Sequence, residues 1–149
     1  MNNHLDLRGR NLSRADFSNA NLYEAILNGA NLREANFNRA GMIYATLRRA
    51  DLRGAHLCKT VLSKASMRGA NLEGAFLAGA YLNLADLSYA NLRKADLSDA
   101  EMYGTNLSEA RLEGANLTGA KYDDSTRWPK GFYPKAAGAI NENSLKAIH

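Results

Sequence analysis

Cysteine is almost missing from this chain of 149 residues, where Cys58 stands alone. A single thiol excludes an internal disulfide framework and fits a reducing compartment, so a cytoplasmic setting is expected. Histidine is nearly as scarce: His4, His56 and His149 lie far apart and form no metal-ligand spacing. No metal or cofactor is expected. Long apolar runs are missing too. The longest, AFLAGAYLNLA, falls short of the roughly 18 residues a membrane span needs, and the opening MNNHLDLRGRNL lacks the basic start and apolar run of a secretory signal. A membrane partner is therefore not expected. Proline occurs only at Pro129 and Pro134.

What the chain has instead is a rhythm. In steps of five from Leu7, through Leu12, Phe17 and Leu22 to Leu117 and Tyr122, all twenty-four positions are large and apolar. Two residues before this centre stands Ala in twenty cases, and just before it stands Asn or Asp in thirteen. Repetition at a fixed short period denotes a solenoid. A helix cannot use the pattern, because five residues at about 100° each scatter the centres around its cylinder. A straight strand fails as well: Ala and the centre share a face, but the next Ala points the other way. The chain must bend once per pentapeptide. Nine of the ten glycines before the tail sit two residues after the centre, which marks the corner. Other corners carry Arg, Glu, Lys or Tyr, so a positive φ is not expected at all of them.

The number of sides follows from a longer period. Phe17 and Phe37 are twenty apart, and departures from Asn or Asp recur at Gly41, Val61, Tyr81 and Glu101. Four sides per coil give about six coils and a shaft roughly 29 Å long.

The A-N-L-x-x motif, with Asn21, Asn31, Asn91, Asn106 and Asn116, and its Asp51, Asp86 and Asp96 versions, resembles the pentapeptide-repeat family. The resemblance covers residues 5–124. It implies an all-β fold, a right-handed quadrilateral β-helix of about six four-sided coils, with centre and Ala inward. The tail TRWPKGF is similar to those of cyanobacterial members. Residues 1–124 are thus expected to form the β-helix, and residues 125–149 a capping tail built on Trp128, Phe132 and Tyr133. The same aromatics could serve a dimer through the end of the solenoid. In the tail, NENSLKAI suggests a short helix with Asn141 or Asn143 as N-cap.

Outward residues twenty apart line up along one side of such a rod. The side centred on Leu22, Met42, Leu62, Leu82 and Met102 would display Tyr23, Ile43, Tyr44, Val61, Tyr81, Leu84 and Tyr103. A tyrosine-rich stripe has the composition of a protein-binding surface, although the same side chains stacked coil on coil also stabilise a sheet. Two neighbouring sides collect arginines: Arg8, Arg48, Arg49 and Arg68 on one, Arg14, Arg33, Arg53 and Arg93 with Lys94 on the next. Residues 33–68 carry a net +6, and residues 69–124 a net −5. No aromatic platform is expected among these arginines, and Glu34, Asp51 and Glu73 stand between them, so a solvated basic surface is preferred to nucleic-acid binding. His56 and Cys58 lack an orienting carboxylate or a cleft, and catalysis is not expected.

The reading is therefore a non-enzymatic rod that binds a protein partner of unknown identity. The resemblance adds a rival: some family members regulate DNA gyrase, a type II topoisomerase, by imitating the charge of duplex DNA. A mimic should be acidic over most of its length, and the +6 segment departs from that.

Overall fold

The computed structural model describes residues 4–143, which form a right-handed quadrilateral β-helix followed from Trp128 by a tail. Twenty parallel bridges join residues twenty apart, from Asp6↔Ile26 to Glu101↔Lys121, so each coil has four sides. The first side is centred on Leu7, Leu27, Leu47, Met67, Leu87 and Leu107, and the second on Leu12 to Leu112. The third runs from Phe17 to Leu117 and the fourth from Leu22 to Tyr122. Centres and alanines fill the interior, and nearly all from Leu22 to Tyr122 are buried. Leu7, Leu12 and Phe17 in the first coil are only partly buried, as befits an end. Phe17 and Phe37 stack inside at 5.1 Å.

The corners overturn one expectation. All twenty-three, from Gly9 to Gly119, have a φ between 56° and 76°, and fourteen of them are not glycine. At each, the N–H three residues past the centre donates to the centre's carbonyl, as Ala30 does to Leu27 at 3.1 Å. A positive φ at the second turn residue alone is the type II signature. The left-handed region costs a non-glycine residue about 1–2 kcal/mol, and the corner N–H offsets this by donating to the next coil. Arg49 N–H, for example, donates to the carbonyl of Arg68 at 3.0 Å.

The repeated Asn and Asp have a local task. In all thirteen cases the side-chain oxygen accepts the N–H two residues on, as Asn71 does from Glu73 at 3.1 Å and Asp96 from Ser98 at 3.0 Å. This bond satisfies an outward donor that the ladder leaves open. Where Thr46, His56 and Glu101 replace the acceptor, Asn28, Asn38 and Asn83 of the preceding coil accept the N–H of Arg48, Cys58 and Tyr103 instead.

The helix continues past residue 124 with a one-residue slip. Thr60 and Thr105, which stand in the alanine position, are buried and donate their hydroxyls to Phe37 and Leu82 at 2.6 and 2.8 Å. Thr126 does the same to Met102 at 2.7 Å, and Arg127 bridges Asn106, twenty-one residues back. Trp128 then covers the end, its ring edge-on to Tyr122 at 5.3 Å and stacked on Phe132 at 5.3 Å. Tyr133 does not join them: it is 75% exposed. A parallel strand pair, β1 (Lys121–Tyr122) and β2 (Ile140–Asn141), ties the tail back to the rod. Asn141 accepts the N–H of Asn143 at 2.9 Å, and the rest of the expected short helix lies outside the described residues.

Candidate functional site

On the fourth side, successive coils lift outward residues into columns. Tyr23, Tyr44, Tyr81 and Leu84 are exposed there, whereas Ile43, Val61 and Tyr103 are half-buried. Ile140 joins them, because its pairing with Lys121 places it in the column of Val61 and Tyr81. Five of the nine exposed large apolar residues described thus lie on this side. Its two ends differ. Tyr23 meets Tyr44 edge-on at 6.0 Å, and Lys64 Nζ lies 5.3 Å from the Tyr44 ring and donates to its hydroxyl at 3.1 Å. These three form rungs between coils. Tyr81 makes no ring contact among the described residues, and Leu84 leans over Gly104, where an added Cβ would stand 2.7 Å from its Cδ2. Burial, followed by the carboxylates of Glu142 and Glu101, pushes the Tyr103 phenol above its usual range.

The two basic sides behave differently from each other. On the second side the arginines are neutralised. Arg53 grips Asp51 with two bonds of 2.8 and 2.6 Å, and Arg33 reaches the same carboxylate at 3.3 Å. Arg14 pairs with Glu34 at 2.9 Å, and Arg93 with Glu73 at 3.8 Å. The Arg53 hydrogen bonds hold the Asp51 carboxyl below its ordinary range despite partial burial. On the first side Arg8 is held by Asp6 at 2.7 Å, but Arg48, Arg49 and Arg68 meet no carboxylate directly among the described residues.

An aromatic does stand among these arginines, contrary to expectation. The Arg68 guanidinium lies 4.5 Å over the ring of Tyr89, and both line a shallow depression of about 460 Å³ with Arg48, Arg49 and Gly69. Tyr89 occupies a corner two coils beyond Arg49, so a reading by sides alone does not bring it near Arg68. A second omission lies on the third side. Phe76, 43% exposed, takes the place usual for Asn or Asp and stacks on His56 at 5.0 Å. The Cys58 thiol, at 3.8 Å, points to the Phe76 carbonyl and not to His56.

A family profile described as pentapeptide repeats, in eight copies, matches residues 4–39, 42–79 and 80–119. Among solved structures, the chain is 40% identical to a pentapeptide repeat protein from Nostoc PCC 7120, covering 71% of this chain and 84% of that one with a TM-score of 0.43. It is 32% identical to one from the thylakoid lumen of Arabidopsis thaliana, covering 79% and 68% with a TM-score of 0.53. QnrB1, a plasmid-mediated fluoroquinolone resistance protein solved after trypsin treatment, is 20% identical over 97% of this chain and 93% of that one, with a TM-score of 0.46. No curated protein matches. No helix among the described residues is long and apolar enough to cross a membrane. By these matches and by its own twenty-residue bridge register, the chain belongs to the pentapeptide-repeat family.

Proposed function

We propose that the chain is a non-enzymatic rod that binds a protein partner through its fourth side. The observation that carries this reading is the gathering of Tyr23, Tyr44, Tyr81, Leu84 and Ile140 on one long side. Large apolar side chains exposed in one patch favour a partner that covers them. Aromatic anchors, moreover, supply most of the energy of typical interfaces. One side of roughly 16 by 29 Å offers under about 500 Å², less than the roughly 800 Å² per partner of a standard interface, so the contact extends around the Tyr44 corner or is transient. A cytoplasmic setting accompanies the proposal, because the lone Cys58 suits a reducing compartment. A DNA mimic fits less well: Arg48, Arg49 and Arg68 form an un-neutralised cationic cluster midway along the shaft.

The test is affinity capture with wild type against the double variant Tyr81→Ser, Leu84→Ser. Neither residue is a rung between Tyr23, Tyr44 and Lys64, so the unfolding midpoint should barely move while capture of the partner is lost. Collapse of stability with loss of capture would instead make these residues structural. Retained capture would remove the fourth side from the interface.

A further inference from the structure

The depression on the first side has a construction that the second side lacks. Arg8, Arg14, Arg33, Arg53 and Arg93 each reach a carboxylate within 2.6 to 3.8 Å. Arg48 and Arg68 are instead anchored by neutral groups. Arg48 Nε donates to Ser66 Oγ at 2.9 Å, and Arg68 Nη1 to Ser88 Oγ at 3.0 Å, with Tyr89 beneath its plane. The Ser88 hydroxyl in turn donates a hydrogen bond to Asp86 Oδ1 at 2.6 Å, so that carboxylate stands one hydroxyl removed. These anchors fix orientation and leave the cationic charge and several N–H donors free. Arg49 has no side-chain hydrogen bond among the described residues.

Glycine opens the floor. In the corner column Arg49, Gly69 and Tyr89 follow one another; Gly69 adds no side chain between them, and the Arg49 side chain, its Cγ 3.5 Å from where a Cβ at Gly69 would stand, borders the opening. We propose that this depression is an anion site for the phosphate of a small phosphomonoester. Guanidinium forks match phosphate oxygens, and three uncompensated cations favour a dianion over a carboxylate. The charge ends abruptly along the shaft. Asn28 and Ser88 flank Arg48 and Arg68 in their column, with Arg8 beyond Asn28 held by Asp6, and Gly29 and Glu109 flank Arg49 and Tyr89, so the cations suit one phosphate and not the repeating backbone of a nucleic acid.

The test follows the arginine Nε–H resonances in ¹H–¹⁵N spectra of the full chain at constant ionic strength. Inorganic phosphate, phosphoserine and acetate are the probes. Saturable shifts at Arg48 and Arg68 with phosphate and phosphoserine, and weaker ones with acetate, are expected. Arg49→Gln with Arg68→Gln should cut phosphate affinity by about tenfold or more, while Arg33→Gln, on the paired side, should leave it unchanged. Arg49→Gln alone, which removes no hydrogen bond, serves if the double variant fails to fold, with a smaller loss expected. Unsaturable shifts, acetate as tight as phosphate, or unchanged affinity in the Arg49 variants would overturn the site.

Discussion

At a single corner the conflict between local preference and the repeat is clearest. Gly29 has φ +68°, and a Cβ built there would meet nothing within 4 Å. Gly29→Ala therefore isolates the backbone cost, and a loss of about 1 kcal/mol in urea unfolding is expected. Unchanged stability would contradict a left-handed corner. The sequence shows where the corners are, because glycine gathers there. It does not show that Arg49 and Tyr44 adopt the same φ, since the compensating hydrogen bond comes from a coil about twenty residues away. Asp51 gives the pH dependence. Arg53 and, more weakly, Arg33 hold its carboxyl below its ordinary 3.8, and Asp6, Asp16 and Asp123 are lowered by their own partners. A lowered carboxyl contributes stability that is complete above the unfolded value and lost as pH falls through the folded one. The unfolding midpoint should hold steady down to about pH 4 and drop below it, and Asp51→Asn should make that drop shallower. A steeper drop in the variant would reverse the sign of the argument.

At the scale of the elements, the twenty-residue period was legible because coils stack in register, and Phe17 over Phe37 or Val61 beside Tyr81 betray it. The end of the rod was less so. Counting in fives stops at Tyr122, but one inserted residue lets Thr126 resume the hydroxyl bond made by Thr60 and Thr105. A slip of one residue leaves no trace in a fixed-period count. Gly138 then docks the tail: its φ is +95°, and an added Cβ would stand 3.2 Å from the Thr118 backbone. Gly138→Ala should cost about 1–3 kcal/mol. Trp128 is the single tryptophan and lies under this tail, so its fluorescence should change at lower urea than the far-UV circular dichroism of the coils. Coincident, unshifted transitions would show that the tail docks without this contact.

On the scale of the whole molecule, the rod separates two surfaces by chemistry. Its fourth side presents apolar rings, and its first side a cationic depression; they adjoin at the corner marked by Tyr44, Lys64 and Leu84. The apolar column could be read from the sequence, since strict register converts spacing into position. Contacts between columns could not, and for that reason Tyr89 escaped notice beside Arg68; Phe76 over His56 lies within a single column and was open to the twenty-residue count. The central claim is that the fourth side meets a protein. Photo-cross-linking from p-benzoylphenylalanine, installed at Tyr81 and in a control at Ser13 on the second side, tests it most directly. The account predicts a protein adduct in the source cells from position 81 and none from position 13. Equal adducts at both positions, or none at 81, would contradict it.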